Sequence, residues 1–375
     1  METPGKRNLC RLALLAFMAM TVCGAMADPP RRPLAVGRDP LILLRSQREQ
    51  AVVPHVLDKT IEQRGARLPV LGDEEAWKRL PKAERGSGKP LPVWARVLVD
   101  ALPRTTAAML ELDYRHRALS PLDARLRAKV RWTAAHSNHC AYTEAVALAD
   151  LERAGASAAE RTALVDGDPD APDAEKAALI FARKITLAAD TVDDDEVKEL
   201  RQLYGDDKVV AIVLLLAYSN FQDRLILSLG CELEPDGPLP PLDVRFIRSE
   251  PAPPVPPRNP PNAAPGGPVE ASLSDPEWKN LDFDALQKRM DAQRGRQPRI
   301  PVPAWDEVKK RLPEGYPVPD HPVRIRWSLV CFGYQPELAA GWSACTRAFG
   351  EEAKQDRVFE ESLFWVVTRS LRCFY

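Results

Sequence analysis

The residues of this chain that are best suited to chemistry lie in one short motif and in a weaker copy of it. The motif spans residues 137–142 and contains Cys140 and Tyr142. The copy contains Cys373 and Tyr375 in the same Cys-x-Tyr spacing. A cysteine thiolate is both a nucleophile and a metal ligand, so both stretches are candidate sites. The rest of the chain must position them.

Two histidines next to Cys140 suggest one use for the motif. His136 and His139 form a His-x-x-His-Cys set with the cysteine, and these side-chain types are common zinc ligands. Because a helix break is predicted before Asn138, the three side chains are not expected to lie on one helix face. The sequence nearby offers no fourth ligand. The alternative is that both histidines are polar residues at a helix junction, solvated or lining a pocket. We expect no metal and no other cofactor, with the set of His136, His139 and Cys140 as the alternative.

Composition argues against a role in binding nucleic acid. The 375 residues are 45% hydrophobic and 28% charged, which is typical of a soluble globular protein with room for two domains. Acidic and basic residues are mixed along the chain, and the formal net charge is −1. A nucleic-acid interface needs a basic face that displaces counterions, and no stretch of the sequence supplies one.

The N-terminal residues have the pattern of an export signal. Lys6 and Arg7 precede an apolar stretch at residues 9–22, and Ala-Met-Ala at residues 25–27 is a typical cleavage site. We expect cleavage after residue 27 and an exported, periplasmic or extracellular protein. An uncleaved membrane anchor is the alternative. No later segment is predicted to cross a membrane.

Hydrophobic periodicity predicts an all-α protein. Apolar residues recur at three- and four-residue spacing, with almost no alternating pattern. Asn138 is expected to cap the helix that carries the motif, which places Cys140 in its first turn. Helices are predicted over residues 93–101, from 103, from the cap at 120–123 to 136, and over 138–153, 158–165, 174–188, 193–203 and 206–229.

The chain divides into two related units. A Pro/Arg-rich leader (28–50) precedes a first unit (51–234), a Pro-rich linker (235–270) and a second unit (271–375). A gapless register aligns rare residues of the two units, which predicts an internal repeat. The aligned pairs are Trp94 with Trp327, Pro103 with Pro336, Trp132 with Trp365, Cys140 with Cys373, and Tyr142 with Tyr375. We interpret the four tryptophans as helix-packing anchors.

These residues resemble a known family. The Cys-x-Tyr motif preceded by Asn138, the stretch 177–186 and the Asn-Phe-Gln-Asp-Arg-Leu sequence at 220–225 are similar to the carboxymuconolactone decarboxylase and alkylhydroperoxidase D superfamily. The resemblance covers about residues 90–235 and, as a half-copy, 320–375. It implies an alkylhydroperoxidase D-like helical bundle followed by an incomplete second copy.

The resemblance also implies a chemistry that the first unit has lost. The peroxidase branch uses Cys-x-x-Cys at a helix start, a Glu on the preceding helix and a His one turn later. The helix N-terminus favours the thiolate, the acid and imidazole carry the proton, and the second thiol closes a disulfide. The first unit has Thr143, Ala147 and Ala128 where the second Cys, the His and the Glu belong. Cys140 and Tyr142 are therefore interpreted as vestigial.

The second unit retains more of the family pattern. Glu361 lies twelve residues before Cys373, where the resemblance places the proton relay. It implies that Glu361, Cys373 and Tyr375 are catalytic residues acting on a small hydroperoxide with a dithiol reductant. The attacking cysteine would follow Tyr375, where the sequence stops. We therefore expect a truncated second repeat and an inactive chain as given.

Two hypotheses of function follow. The first is an exported, antioxidant oxidoreductase with thiol-dependent (hydro)peroxidase, peroxiredoxin-type activity in its second repeat. The second is a non-catalytic helical interaction protein that keeps the fold without the site. Lactone decarboxylation, a third possibility, has no residue in its favour. A truncated second copy would also leave an apolar face uncovered, so we expect self-association, which light scattering can test.

Overall fold

The computed structural model describes residues 66–247 and 283–371, apart from residues 167, 169, 320, 354 and 355. The predicted signal segment and leader, Cys373 and Tyr375 lie outside the described residues, as does most of the predicted linker. The secondary structure of the described residues is almost wholly helical. The prediction of an all-α protein is therefore confirmed.

The elements follow one another in two groups. Residues 66–247 form α1 (Asp73–Arg79), β1 (Ala83–Arg85), α2 (Val93–Leu98), α3 (Pro103–Tyr114), α4 (Ala124–Ser137), α5 (Ala141–Arg153), α6 (Ala158–Asp166), α7 (Asp173–Ala188), α8 (Asp194–Leu229) and β2 (Arg245–Phe246). A π-helical turn, Arg115–Leu119, extends α3, and a 3-10 turn, Ala189–Thr191, follows α7. Residues 283–371 form α9 (Phe283–Arg294), α10 (Trp305–Arg311), α11 (Arg326–Tyr334), α12 (Pro336–Ala353) and α13 (Arg357–Ser370).

Local sequence signals explain where several helices begin. Pro103 occupies the first turn of α3, where its missing N–H is no loss. The Asp123 carboxylate caps α4, accepting hydrogen bonds from two backbone N–H groups of the first turn at 2.9 and 3.1 Å. Asp193 and Glu196 form a reciprocal capping box at the start of α8. These starts lie within one residue of, or inside, the predicted segments.

Helix α8 is a long core helix with a kink. Gly205 has φ 76° and ψ 163°, a conformation that glycine adopts without a steric penalty, and it divides the two predicted helices at 193–203 and 206–229. The helix is long and apolar enough to span a membrane, contrary to the sequence-based expectation, but 78% of its apolar window is buried inside the protein. That burial is typical of a core helix in a globular protein.

The core forms around α4, which packs against α5, α7 and α8. Val130 and Ala134 of α4 join Phe181 of α7 and Leu215 of α8 in one apolar cluster. Burial of a large apolar side chain contributes about 1.5–3 kcal/mol, so this cluster holds the helices in place. A second cluster joins α2, α3, α5 and the end of α8 to α12. The two units therefore share part of their core.

The segment after α8 packs against the first unit. Strand β2 pairs antiparallel with β1, and Val244 and Phe246 are only 2% and 7% exposed. The Phe246 N–H donates to the Glu111 carboxylate at 2.7 Å. The structure differs here from the expectation of a linker beginning at residue 235, since residues 235–247 belong to the first unit. A two-residue strand needs few N–H donors, so the neighbouring prolines do not prevent it.

The second unit packs on the first through α12, which lies antiparallel to α3. Arg104, near the start of α3, donates to Glu351 near the end of α12 at 2.6 Å. Arg115, just after α3, pairs with Glu337 at the start of α12. At the crossing, a Cβ added to Gly341 would lie 3.1 Å from a leucine side chain of α3. The glycine lets the two helices approach closely.

The tryptophans at aligned positions differ between the units. Trp94 and Trp132 are 2% and 6% exposed, whereas Trp327 and Trp365 are 38% and 52% exposed. The interpretation of all four as packing anchors therefore holds only for the first unit.

Candidate functional site

The motif of residues 137–142 forms the turn between α4 and α5. Asn138 caps the C-terminus of α4, His139 has a left-handed φ of 57°, and Cys140 is the residue before the first turn of α5. The prediction that Asn138 caps the motif helix and that Cys140 lies in its first turn was wrong. The left-handed residue reverses the chain later than expected, because α4 continues to Ser137.

Cys140 is fully buried, with a side chain at the start of α5 that has no access to solvent. A helix N-terminus alone would favour the thiolate. Burial, helped by the nearby Asp223 carboxylate, outweighs this effect and raises the pKa of the thiol from 9.0 to about 11. Cys140 is therefore a protonated thiol at neutral pH, with little nucleophilic character.

Thr143, which stands in the place of the second cysteine, belongs to a closed polar cluster. Its hydroxyl donates to the buried Asp223 carboxylate at 2.5 Å. The Asn138 side-chain amide donates to the other carboxylate oxygen at 2.7 Å and to the Asn220 side chain at 3.0 Å. These bonds join the turn after α4 to α8. The cluster satisfies its own donors and acceptors, which makes it a structural arrangement.

Asp223 gives the protein a dependence of stability on pH. Burial raises the pKa of its carboxyl from 3.8 to about 6, a difference that corresponds to about 3 kcal/mol. The folded state thus binds this proton more tightly than the unfolded state, so the free energy of unfolding falls as pH rises between these values. The Asp223→Asn variant has no carboxyl group at this position, so it does not bind this proton in either state. Its free energy of unfolding relative to the wild type is expected to rise by up to about 3 kcal/mol across this window.

Urea denaturation of both proteins from pH 4 to pH 7 measures this difference. Subtracting one protein from the other removes the contribution of every group that titrates alike in both. A difference that stays constant with pH would contradict the expectation.

The positions at which the resemblance would place a glutamate and a histidine are occupied by apolar packing. Ala128 on α4 and Ala147 on α5 are 3% and 0% exposed, and they share one apolar cluster with Trp132 and Leu151. A carboxylate or an imidazole at either position would need a partner in this environment. The two helices therefore pack where a proton relay would stand.

Tyr142 has a structural role in the described residues. Its hydroxyl donates to Glu234 at 2.6 Å, and the same carboxylate oxygen accepts the Val93 N–H at 2.9 Å. Burial, followed by the Glu234 charge, raises the pKa of Tyr142 well above its ordinary value. The neutral phenol thus connects α5 to the start of α2 through the segment after α8.

The alternative metal ligands are not brought together. His136 and His139 are exposed, whereas Cys140 is buried. His136 stacks on Trp132 with ring centroids 4.7 Å apart, and its Nδ1 lies 3.5 Å from Glu144. No group of three or more His, Cys, Asp or Glu side chains in the described part of the chain could hold a metal ion.

The candidate residues of the second unit are only partly described. Glu361 lies on an exposed part of α13. Cys373 and Tyr375 lie outside the described residues. The structure thus supplies no geometry for a site that combines the three.

A buried ionic network that the sequence patterns did not predict lies near the motif. Asp113 on α3 accepts a hydrogen bond from the Tyr218 hydroxyl at 2.7 Å and pairs with Arg117 and Arg131 at 3.2 and 3.4 Å. Arg131 also donates to Gln222. Burial alone would raise the pKa of Asp113, but the two guanidinium groups outweigh it and lower the pKa below its ordinary value. The carboxylate is therefore charged and held by its partners.

A small pocket opens beside this network. Its enclosed space of about 20 Å³ has room for about one water-sized group. Its lining includes Trp94, Asp113, Arg117, Arg131, Tyr142, Gln222 and three prolines at positions 90, 92 and 240. No thiol is among the residues that line it. The pocket can hold a small polar molecule, but it offers no exposed nucleophile.

Comparisons with family models, with curated proteins and with solved structures found no match. The family resemblance therefore rests on the Cys-x-Tyr motif and on the stretches 177–186 and 220–225 alone.

Proposed function

We propose that this chain is an exported, non-catalytic helical protein that keeps an alkylhydroperoxidase D-like arrangement of helices and acts by binding. The observation that carries the proposal is the closed cluster at the motif. Thr143 donates to Asp223 at 2.5 Å, and Cys140 beside it is fully buried. The positions that a thiol peroxidase would need for chemistry are used here for packing.

The chemistry of a dithiol peroxidase explains why this geometry argues against catalysis at the first unit. Reduction of a peroxide oxidises a thiolate to a sulfenic acid, and a second thiol then displaces water to form a disulfide. A hydroxyl such as that of Thr143 cannot close that disulfide. The raised pKa of Cys140 and its lack of solvent exposure also disfavour the first step.

The helix bounds support the proposal of an internal repeat. Helices α11, α12 and α13 begin at residues 326, 336 and 357, each 233 residues after the starts of α2, α3 and α4 at 93, 103 and 124. Helix α10 begins 232 residues after α1. Because aligned residues begin corresponding helices, we interpret helices α10–α13, which begin at residue 305, as a second copy of the α1–α4 part of the first unit.

The contact between α3 and α12 supports a pseudo-dimer within one chain. These two helices correspond in the repeat, and they pack antiparallel so that the start of each meets the end of the other. An interface between identical helices related by a two-fold axis has the same property. We infer that the second unit covers a face on which an unrepeated protein would bind another copy.

Peroxidase activity in the second unit is the second candidate function. The observation in its favour is that α13 ends three residues before Cys373, as α4 ends three residues before Cys140. Cys373 thus follows its helix in the sequence at the same spacing as Cys140. This candidate needs a second thiol as resolving or attacking partner.

A peroxide-consumption assay with a dithiol reductant distinguishes the two candidates. For the full chain we expect no consumption above that of the reductant alone, and the same for Cys140→Ser. Cys373→Ser and Glu361→Gln are the matched variants of the second unit. Activity that both of these variants abolish, and that Cys140→Ser leaves intact, would overturn the proposal and establish the second unit as the enzyme.

A further inference from the structure

A second cavity shares Arg117 and Arg131 with the first and has an unusual charge. It is bounded by the π-helical turn after α3 and by α4, α5 and α8, and it has room for about one water-sized group in about 10 Å³. Its lining includes His116, Arg117, Arg127, Arg131, Asp150 and Leu215. Three of these side chains are guanidinium groups, and one is a carboxylate.

The positive charges around this cavity are not fully balanced. Arg117 is held by Asp150 through two bonds of 2.7 Å and by Asp113 at 3.2 Å, and Arg131 pairs with Asp113 as well. Within the described residues Arg127 forms no ion pair, and its one hydrogen bond goes to a backbone carbonyl at 3.3 Å. Three arginines therefore share two buried or partly buried carboxylates.

The remaining titratable groups nearby do not remove this excess. Burial, together with the Arg131 charge, lowers the pKa of His116 to about 3, so the imidazole is neutral at physiological pH. The Asp150 and Asp123 carboxylates both attract Arg127, but Asp150 is already paired with Arg117, and Asp123 lies on the exposed surface, where it caps α4. Burial is also the main reason that the pKa of Arg127 is lowered, with repulsion from Arg117 and Arg131 adding to it.

Two buried nitrogen atoms on the lining residues have no hydrogen-bond partner among the described residues. They are Arg131 Nε and His116 Nδ1, and their side chains belong to residues that are 3% and 2% exposed. Arg131 Nε always carries a proton, so it is a buried donor without an acceptor. A buried donor without an acceptor is costly to the folded state, and an acceptor bound against Arg131 would relieve that cost.

We propose that this cavity is a binding site for one small monovalent anion of the size of chloride, held by the guanidinium groups of Arg117, Arg127 and Arg131 that line it. The anion supplies the missing negative charge and an acceptor for Arg131 Nε. Binding stabilises the folded state, because the unfolded chain has no such arrangement of guanidinium groups.

Thermal unfolding of the full chain tests the site with chloride itself as the probe. In sodium chloride the midpoint is expected to lie about 3 °C or more above that in sodium gluconate at equal ionic strength, and the difference saturates with chloride concentration. Broadening of the chloride-35 NMR line by the wild-type protein measures binding directly.

Matched variants on one helix assign the site. Arg127→Met is expected to abolish the chloride-specific rise and the line broadening. Arg125→Met is the control, because Arg125 lies on the same helix but is 49% exposed and pairs with Glu160 away from the cavity. If Arg127→Met does not fold, the NMR measurement on the wild type still decides. Equal midpoints in chloride and gluconate without line broadening, or a response that survives in Arg127→Met, would overturn the proposal and leave water as the occupant.

Discussion

Asp113→Ala is expected to lower the free energy of unfolding by about 3–5 kcal/mol. The carboxylate of Asp113 is 9% exposed and lies between Arg117 and Arg131, which are themselves 7% and 3% exposed. Its removal leaves Arg131 as a buried cation in contact with two uncharged groups, the Gln222 amide and the Tyr218 ring, and it takes the acceptor from the Tyr218 hydroxyl. Urea denaturation, followed by tryptophan fluorescence, measures the loss.

An exposed ion pair provides the control for this experiment. Glu74 and Lys78 on α1 are 2.8 Å apart, with side chains that are 87% and 62% exposed. Glu74→Ala is expected to change the free energy of unfolding by no more than about 0.5 kcal/mol. Asp113→Asn separates charge from hydrogen bonding, since the amide can still accept from Tyr218. A loss for Asp113→Ala no larger than that for Glu74→Ala would mean that the network is hydrated and contributes little.

The sequence predicted the helices around this network but not the network itself. Asp113 and Arg117 are four residues apart, the spacing of an exposed pair on a helix surface. Nothing local indicates that both are buried, because the groups that surround them come from elsewhere in the chain. Arg131 follows 18 residues after Asp113, and Tyr218 follows 105 residues after it. Only the packing of α3, α4 and α8 brings these residues together.

Helix boundaries were predictable where one residue determines them locally. Pro103, Asp123 and Asp193 each act within the first turn of their own helix, so their effect can be read from neighbouring residues. The turn at His139 was misplaced because a left-handed histidine has no reliable sequence signal. Strands β1 and β2 were missed for a related reason: they are three and two residues long and pair across the whole first unit.

The sequence predicted which chemical groups the first site lacks but not what replaced them. The absence of a second thiol, a glutamate and a histidine follows from reading positions 143, 128 and 147 against the family pattern. That Asp223 would hold Thr143 and Asn138 required the structure, because Asp223 lies 80 residues after Thr143 on another helix. In the sequence, the stretch at 220–225 contributed only to the resemblance. In the structure, its buried Asp223 carboxylate accepts the hydrogen bonds of Thr143 and Asn138.

Glu352→Ala is expected to lower the free energy of unfolding of the second unit by about 2–3 kcal/mol. Helix α3 has no cap of its own, because Leu102 precedes it. Glu352 of α12 supplies one instead: its carboxylate accepts the N–H groups of Arg104 and Thr105 at 2.7 and 2.8 Å and the Thr105 hydroxyl at 2.7 Å. The side chain of Glu352 is only 9% exposed, so water does not replace these bonds.

The opposite end of the same helix pair offers a matched control. Glu337 pairs with Arg115 there, but its side chain is 64% exposed, so Glu337→Ala is expected to change the free energy of unfolding by less than about 1 kcal/mol. Equal effects of the two substitutions would mean that Glu352 acts only as one more surface charge.

Hydrogen exchange of backbone amides shows which helices are destabilised by Glu352→Ala. A change of 2–3 kcal/mol corresponds to about 30- to 150-fold faster exchange. Helix α12 shares an apolar cluster with α3, whereas α7 belongs to a separate cluster with α4 and α8. Faster exchange is therefore expected in α12 and in the first turn of α3, with the amides of α7 unchanged. If α7 exchanges faster by the same factor, the two units unfold as one, and the first unit is not stable without the second.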